Sequence, residues 1–251
     1  MPIIESSSGR ISFCELGAGA PIVLLHGIQG TARTWDTVVP LLEPKLRVIT
    51  PDLRGRGESY IPVEAEAYRL EHFASDLLAV LEMIGRPVVL VAWSMGVSVT
   101  LELLRGHPGI RMRGLILVSG SPHVGHEACW FRGATADEVA DEARERARRI
   151  SLVEAAQPHA VAASWLDVQK ADFRRMLPEI AIPTLVIHGL DDDQCPIDHG
   201  RQIAQSIPDA QLDEWADTGH NPMARDPIRF ARTIADFVDS LRDGPSRQVR
   251  G

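Results

Sequence analysis

Short apolar runs alternate along this chain with longer amphipathic stretches. The apolar runs predict seven strands, over residues 11–16, 21–25, 47–50, 88–93, 114–118, 184–188 and 211–215. The stretches between them predict five helices, over residues 31–42, 70–84, 95–105, 197–207 and 227–241. Regular alternation of apolar strands with helices predicts the α/β fold class, in which a mostly parallel sheet is covered by helices on both faces.

Residues 121–178 break this alternation, because they contain no convincing strand. The run Thr135-Ala136-Asp137-Glu138 is typical of a capping box and predicts the start of a charged helix. Four-residue spacing on that helix predicts two ion pairs, Glu142 with Arg146 and Glu145 with Arg149. Residues 151–154 resemble a second helix start, so we expect a helical segment between two strands of the sheet.

The domain organisation follows from that segment. We expect residues 1–120 and 179–242 to form one α/β core, with residues 121–178 as a helical insertion. Residues 243–251 are rich in Gly, Ser and Arg, so we expect a disordered tail there. The length of 251 residues suits a single domain with a large core.

The most informative chemical feature is a serine at the point where an apolar strand meets a helix. Ser94 follows the strand predicted over 88–93, and a helix-compatible stretch begins directly after it. Ala92 and Gly96 stand two positions to either side, and a sharp strand–turn–helix needs small residues there because its two arms nearly touch. We therefore expect strained backbone at Ser94, an ordinary strand conformation at Ala92, and the hydroxyl at the carboxyl end of the sheet.

A serine hydroxyl is a useful nucleophile when a base removes its proton and a third group orients that base. The candidate base is His220, which lies in a Gly/Asn/Pro-rich loop after a predicted strand. The candidate acid is one of Asp191, Asp192 and Asp193, in the loop after the strand predicted over 184–188. The chain order is therefore serine, aspartate, histidine, which is the order of the α/β-hydrolase arrangement.

Five segments in the correct order resemble the α/β-hydrolase fold family over nearly the whole chain. They are the loop at residues 26–30, the turn at residues 52–59, the serine turn, the acid loop and the Gly219-His220 loop. The turn reads Asp-Leu-Arg-Gly-Arg-Gly-Glu-Ser, which is similar to the family's D-x-R-G-x-G-x-S pattern. The chain departs from the family pattern at Ala92 and Val97, where many members have glycine.

The resemblance implies a catalytic triad of Ser94, Asp192 and His220. The family spacing G-x-x-D-x-x-x-P, read from Gly189, selects Asp192, and Asp191 is the alternative acid. The resemblance also implies an oxyanion hole, formed by the backbone N–H groups of Ile28 and Met95.

The family places a cap between strands six and seven of its sheet, at the position of residues 121–178. We therefore expect this segment to form a small helical lid over Ser94, with a surface insertion that never touches substrate as the alternative. The candidate substrate-pocket residues are Trp93, Trp130, Phe131 and Trp165. The last three lie in the segment, and the alternative is that they only attach the lid to the core.

The implied function is hydrolysis of a carboxylic ester or lactone through an acyl-enzyme on Ser94. The dehalogenases and epoxide hydrolases of this fold attack with aspartate, so a serine at the apex argues against them. Trp93, directly before the serine, gives some similarity to pimeloyl-carrier-protein methyl esterases. The alternatives are perhydrolysis of the cofactor-free haloperoxidase type, acyl transfer to another acceptor, and a low-turnover ligand receptor.

Composition limits the classes of binding partner and the cellular compartment that we expect for this chain. The net charge of −8 argues against nonspecific nucleic-acid binding, and no apolar run approaches the roughly 18 residues of a membrane span. The N-terminal residues show no secretion signal, and Cys14, Cys129 and Cys195 are too few for a disulfide framework, so we expect a reduced cytoplasm. The expected partner is a small acyl ester or lactone, and the oligomeric state is left open.

The sequence motifs require neither a metal nor a cofactor. His123, His126 and Cys129 have a spacing that could hold zinc, but a structural zinc site needs a fourth protein ligand. Gly55 and Gly57 lack the rest of a dinucleotide-binding fingerprint. We therefore expect no bound metal and no cofactor.

Overall fold

The described residues of the computed structural model are 2–6, 9–124, 127–128, 130–149, 152 and 154–241. They include eight strands, which are β1 Ile3–Ser6, β2 Gly9–Leu16, β3 Ala20–Leu25, β4 Leu46–Pro51, β5 Val89–Trp93, β6 Gly114–Val118, β7 Thr184–Gly189 and β8 Ala210–Trp215. The predicted tail at 243–251, the possible zinc ligands His126 and Cys129, and the predicted helix start at Ser151 lie outside the described residues.

The eight strands form one sheet in the spatial order β1-β2-β4-β3-β5-β6-β7-β8. The pairs β1–β2 and β2–β4 are antiparallel, and every other neighbouring pair is parallel. The α/β prediction is therefore confirmed, with a mostly parallel sheet whose chain order changes direction around β3 and β5. In parallel sheets the strands end at one common edge, where sites form.

Helices connect the strands and cover the sheet. They are α1 Val39–Leu42, α2 Leu70–Ile84, α3 Met95–Gly106, α4 Ala136–Arg149, α5 Pro158–Val168, α6 Ile197–Ser206, α7 Pro222–Arg225 and α8 Pro227–Ser240. Short 3-10 turns occur at Ala32–Trp35, Ala65–Tyr68 and Leu177–Glu179. Within the described part of the chain, no helix combines the length and apolarity that crossing a membrane requires.

Each of the seven predicted strands is present, with bounds shifted by two residues at most. The sequence did not predict β1, because this strand lies at the edge of the sheet and its residues alternate between exposed and half-buried positions. The single helix predicted over 31–42 is wrong, since the structure has a 3-10 turn followed by α1. Pro40 explains the break, because proline has no N–H to donate within a continuous helix and its ring would clash with the preceding turn.

Apolar side chains pack on both faces of the sheet. In β3, Val23 and Leu25 contribute to one hydrophobic cluster, while Ile22 and Leu24 contribute to the cluster on the opposite face. The first cluster includes the buried stripe of α2, and the second includes Trp35 stacked on Phe230 at 6.1 Å between ring centroids. Burial on both faces explains why the parallel strands read as continuous apolar runs.

The segment between β6 and β7 is helical. The predicted capping box at the start of α4 is present, since the Glu138 N–H donates to Thr135 Oγ1 at 3.3 Å and the Thr135 N–H donates to Glu138 Oε2 at 3.0 Å. The sequence analysis did not identify α5, whose faces are nearly all apolar and buried, so it lacks an amphipathic period. Pro158 at its first turn was the available start signal.

The two ion pairs predicted on α4 are absent from the described residues. Glu142 accepts a hydrogen bond from the Arg132 N–H at 2.8 Å, and Arg146 donates to Gln194 Oε1. The spacing rule assumes that both side chains lie on a solvated helix face, whereas Arg146 is half-buried against the core. The prediction for these pairs is therefore wrong, and the Arg146 side chain contacts Gln194, in the loop after β7.

A buried ion pair fixes the turn at residues 52–59 to α2. Arg54 Nε and Nη2 donate to the two carboxylate oxygens of Asp76, each at 2.7 Å, and both side chains are almost fully buried. Arg54 also donates to the carbonyl oxygens of Ala67 at 2.9 Å and His72 at 3.0 Å. The polar atoms of Arg54 and Asp76 are therefore nearly all hydrogen-bonded. A buried ion pair needs such bonds to offset the free energy lost when its charges leave water.

The Asp76→Asn substitution should strongly destabilise the protein, because it leaves the Arg54 charge buried without a counterion. We expect the free energy of unfolding in urea to fall by about 3–5 kcal/mol. The matched control is Asp36→Asn, which breaks the exposed Arg33–Asp36 pair and should cost less than about 1 kcal/mol. Equal losses in the two variants would contradict a special role for the buried pair.

Candidate active site

Ser94 lies at the apex of a strained turn between β5 and α3. Its backbone has φ 56° and ψ −121°, an unusual region for a residue with a side chain. The Ser94 N–H donates to the Val118 carbonyl oxygen at 2.9 Å, which holds the turn against β6. A Cβ on Gly27 would lie 3.1 Å from Ser94 Cβ, and one on Gly96 would lie 2.9 Å from the Leu25 carbonyl oxygen. The strain expected at Ser94 is present, and close backbone approach maintains it.

The two departures from the family pattern fit the turn. Ala92 is absent from the non-glycine residues with positive φ in the described chain and pairs with Leu117 in the sheet, so its predicted strand conformation is confirmed. Val97 is fully buried on α3, and it occupies the space that a Cβ on Gly120 would need. The larger side chain at position 97 is therefore accommodated by a glycine in the loop after β6.

The three residues predicted to form a triad lie in one hydrogen-bonded chain. His220 Nε2 is 2.9 Å from Ser94 Oγ, and His220 Nδ1 is 2.9 Å from Asp192 Oδ2 and 3.0 Å from Oδ1. A carboxylate can only accept, so Nδ1 carries the ring proton and Nε2 presents its lone pair to the serine hydroxyl. All three residues are buried, at 9 % exposure or less. The geometry suits proton transfer from Ser94 to His220.

Asp192, and not the alternative Asp191, contacts the histidine. Asp191 and Asp193 are exposed, whereas Asp192 Oδ1 also accepts the backbone N–H groups of Gln194 at 2.9 Å and Cys195 at 2.8 Å. Burial acts to raise the pKa of Asp192, but hydrogen bonds from His188 and His220 and the Cys195 N–H outweigh it and hold that pKa below its ordinary value. Asp192 is therefore ionised at neutral pH and can stabilise a protonated His220.

His188 is a second histidine beside Asp192, in addition to His220. Its Nε2 lies 2.7 Å from the Cys195 carbonyl oxygen and 3.4 Å from Asp192 Oδ2, and the side chain is fully buried. Both neighbours are acceptors, so Nε2 carries the proton. Its place at the end of β7, four residues before Asp192, was the signal that could have identified it.

The loop at residues 26–30 is held by a neutral histidine. His26 Nδ1 is 2.8 Å from the Gly27 carbonyl oxygen, and the Leu53 N–H donates to His26 Nε2 at 3.0 Å. A ring that accepts at Nε2 and donates at Nδ1 is uncharged. Burial lowers the pKa of His26 to about 3, which agrees with this hydrogen bonding.

Arg56 joins this loop to α5. Its Nη2 donates to the Ile28 carbonyl oxygen at 2.8 Å and to Ser164 Oγ at 3.1 Å, and its Nη1 donates to the Arg54 carbonyl oxygen at 2.8 Å. Burial lowers the pKa of Arg56 to about 9. The Arg56 guanidinium, which belongs to the turn at residues 52–59, is therefore hydrogen-bonded both to the loop at residues 26–30 and to α5.

A cavity of about 220 Å³ lies against Ser94 and His220. Its lining includes Ile28 and Trp93 from the core, and Arg146 and Leu152 from the segment between β6 and β7. The Trp93 indole N–H also donates to the His220 carbonyl oxygen at 2.8 Å, so this side chain both lines the cavity and contacts the histidine loop.

The other three aromatic residues predicted for the pocket lie beside the cavity. Trp130 and Phe131 line an adjoining groove of about 520 Å³. Trp165 packs against them, tilted against Trp130 with ring centroids 5.3 Å apart and edge-on to Phe131 with ring centroids 5.9 Å apart. None of the three is in the wall of the cavity next to Ser94, and their role in a substrate pocket stays a prediction. Their large side chains pack together within the segment.

One group in the described chain has side chains suited to metal ligation. Candidate ligand atoms of His123, Glu127 and His199 lie within 4.8 Å of one another, away from the cavity lining. His199 Nε2 is already 3.2 Å from Glu127 Oε2, so an ion pair or hydrogen bond accounts for part of this proximity. This set shares only His123 with the spacing noted in the sequence. The absence of a resident metal stays a prediction, which elemental analysis of the purified protein would check.

Comparison with known proteins places these features in context. The sequence profile described as "Alpha/beta hydrolase family" matches residues 22–233. A non-heme chloroperoxidase from Kitasatospora aureofaciens is 28% identical, over 95% of this chain and 100% of that protein. A pimeloyl-[acyl-carrier protein] methyl ester esterase from Aromatoleum aromaticum is also 28% identical, over 86% of this chain and 97% of its own length.

Structural comparison gives the same fold. An esterase from Exiguobacterium antarcticum superimposes with a TM-score of 0.82 and 25% sequence identity, covering 94% of this chain and 98% of that one. The similarity therefore extends over nearly the whole length of both chains.

Protonation of His26 should destabilise the folded protein at acid pH. Its folded-state pKa of about 3 lies below the ordinary value of 6.5, so the unfolded chain binds a proton that the folded protein excludes. The contribution of His26 to the free energy of unfolding is fully present above about pH 6.5. It declines toward pH 3, by at most about 1.4 kcal/mol per pH unit. His26→Asn should reduce the loss in unfolding free energy between about pH 7.5 and about pH 5.

The measurement is urea unfolding of both proteins at the two pH values. The exposed His107→Asn variant is the matched control, and its pH dependence should follow that of the unaltered protein. An unchanged pH dependence in His26→Asn would show that His26 is not held neutral by the fold.

Proposed function

The chain belongs to the alpha/beta hydrolase family, and from this premise we propose that it is a serine hydrolase acting on a carboxylic ester or lactone. The observation that carries the proposal is the hydrogen-bonded chain from Ser94 Oγ through His220 to Asp192, which opens onto a cavity. The esterase relatives support the reaction class.

The first chemical step forms an acyl-enzyme. As Ser94 Oγ attacks the ester carbonyl carbon, His220 Nε2 takes the hydroxyl proton, and the carbonyl π electrons move to oxygen. The Asp192 carboxylate stabilises the imidazolium that forms. The tetrahedral intermediate then expels the alkoxide, which leaves as an alcohol after receiving the proton from His220 Nε2. Water, deprotonated by the same nitrogen, releases the acid and restores Ser94.

The oxyanion hole is proposed to use the N–H groups of Ile28 and Met95. Met95 is the first residue of α3, so its N–H has no acceptor within the helix. The peptide between Gly27 and Ile28 is trans, so its N–H points away from its carbonyl oxygen. Because His26 Nδ1 and the Gly30 N–H both hold that carbonyl oxygen, they also fix the direction of the Ile28 N–H.

We propose that residues 121–178 act as a cap on a core formed by the rest of the described chain. Arg146 and Leu152 supply part of the cavity wall, which favours a cap over an insertion remote from the substrate. The cap would exclude water and shape the acyl site.

Perhydrolysis is a second candidate, because a chloroperoxidase is among the relatives at 28% identity. Hydrogen peroxide would replace water in attack on the same acyl-enzyme and would release a peracid. Product analysis with and without peroxide separates these outcomes. A protein that binds the ester but turns over far below about 1 per second would instead be a receptor.

Ser94→Ala and His220→Ala should each lower kcat for a p-nitrophenyl ester by about 10⁴-fold or more, because each removes a group that forms or breaks a bond. Asp192→Asn should lower kcat by about 10⁴-fold, since it removes the charge that stabilises the imidazolium. The matched control is Asp191→Asn, the exposed neighbour, which should retain near-normal turnover. Near-normal turnover in Ser94→Ala or His220→Ala would contradict the proposed mechanism.

His188 is proposed to position Asp192 through its Nε2 proton. His188→Leu removes an N–H that lies 3.4 Å from Asp192 Oδ2, and it should lower kcat by about tenfold to a hundredfold, with little change in KM. His188→Gln retains an N–H donor and should recover most of the loss. Steady-state kinetics of both variants on the same ester provide the test. Equal kcat values in the two variants would indicate a packing role alone.

A further inference from the structure

The described lining of the cavity next to Ser94 includes one arginine, Arg146. Among the described residues that line it, Arg146 is the only arginine or lysine, and no aspartate or glutamate is present. The rest of the wall consists of apolar side chains, hydroxyl groups, neutral amides and His220. Arg146 also lines the adjoining groove, together with Glu142, Glu145 and Asp193, but within the described chain it forms an ion pair with none of the three.

The hydrogen-bond partners of Arg146 are uncharged. Its guanidinium donates to Gln194 Oε1 and, at 3.5 Å, to the Trp130 carbonyl oxygen, and it lies 5.9 Å from the centroid of the Phe131 ring. The described residues place no carboxylate oxygen within 4 Å of it, although its sequence spacing from Glu142 favours a pair. A guanidinium has five N–H donors, so part of its hydrogen-bonding capacity is left for another acceptor.

The half-buried position of Arg146 makes this arrangement costly without a counterion. Burial lowers the pKa of the guanidinium, and the charge of Asp193 acts in the opposite direction from outside the cavity wall. Arginine nevertheless remains charged at neutral pH. Desolvating a charge whose partners are neutral costs free energy, and an anion bound in the cavity would offset that cost.

Contacts to the core hold Arg146 at a defined place relative to Ser94. The α4 helix that carries it begins at the capping box, and Gln29 Nε2 donates to the Ala143 carbonyl oxygen at 2.9 Å, one turn before Arg146. Gln29 directly follows Ile28, whose N–H is proposed for the oxyanion hole. The Gln29 side chain therefore links the helix that carries Arg146 to the loop that holds Ile28.

We propose that Arg146 binds an anionic group of the substrate, so that the preferred substrate is an ester or lactone that also bears a carboxylate. This inference rests on the proposed hydrolase function of Ser94. A carboxylate can accept two parallel N–H bonds from a guanidinium, which would orient the acyl chain while its ester carbonyl lies at Ser94 Oγ. The cavity of about 220 Å³ favours a short acyl chain, such as that of a small dicarboxylic acid monoester.

The test compares two esters that differ in one charge. Mono-p-nitrophenyl glutarate carries a free carboxylate, and methyl p-nitrophenyl glutarate has the same chain with that charge masked. We expect the unaltered protein to have a higher kcat/KM for the anionic ester. In Arg146→Gln the ratio of the two kcat/KM values should fall by about tenfold to a hundredfold, and Arg146→Lys should recover part of it.

Arg148→Gln is the matched control. It removes the same charge from the same helix at an exposed position that lines neither the cavity nor the adjoining groove, so the ratio should stay as in the unaltered protein. An unchanged ratio in Arg146→Gln, with both esters still hydrolysed, would overturn the inference and leave the hydrolase function standing. An equal fall in Arg148→Gln would also overturn it, because the effect would then be a general charge effect.

A binding measurement separates the two proposals. Glutarate should raise the Tm of the unaltered protein and of Ser94→Ala, but it should leave the Tm of Arg146→Gln unchanged. If neither ester is hydrolysed while this pattern holds, the hydrolase function fails and the anion site stands. If glutarate shifts the Tm of no protein, or of Arg146→Gln equally, the anion site is wrong.

Discussion

The site depends on the backbone conformation of Ser94, which a residue with a side chain adopts only under constraint. Such strain costs about 1–3 kcal/mol and persists where the surrounding structure over-determines it. Here the Val118 carbonyl oxygen holds the Ser94 N–H on one side, while Gly27 and Gly96 allow the loop after β3 to approach from the other. A relaxed turn would move Oγ away from His220 Nε2, so the sheet's packing is what keeps the hydroxyl and imidazole at 2.9 Å.

Buried charges extend this constraint to the rest of the site. Asp52 accepts the Ala32 N–H at 2.6 Å and the Ser12 hydroxyl at 3.0 Å, which ties the turn at residues 52–59 to β2 and to the loop after β3. Arg54 ties the same turn to α2, and Arg56 ties it to Ile28 and α5. Each buried charge would cost free energy alone. Together they form hydrogen bonds with backbone groups that have no partner within a helix or strand. The turn thus stabilises the fold and orients the loop at residues 26–30.

The sequence was sufficient for features set by local pattern and chain order. Apolar runs located seven of the eight strands, β2 to β8, and motif spacing chose Asp192 among three adjacent acids. Features set by tertiary packing were missed: Pro40 splits a predicted helix, α5 is apolar on nearly every side, and β1 is an exposed edge strand. Side-chain direction on the segment between β6 and β7 was the least predictable, because the same charge pattern suits either a solvated helix face or an arginine turned toward a cavity.

The structure separates the proposed chemistry from the proposed recognition. Ser94, Asp192 and His220 follow strands of the sheet, whose position the core fixes, whereas Arg146 and Leu152 come from an insertion outside it. Among the described residues, the hydrogen bonds that join the two parts, such as Gln29 with Ala143 and Arg56 with Ser164, do not involve Ser94, Asp192 or His220. Substitutions on the insertion can therefore change the cavity wall without disturbing the strained serine. This arrangement explains, in physical terms, how one fold can support relatives that range from esterases to a chloroperoxidase.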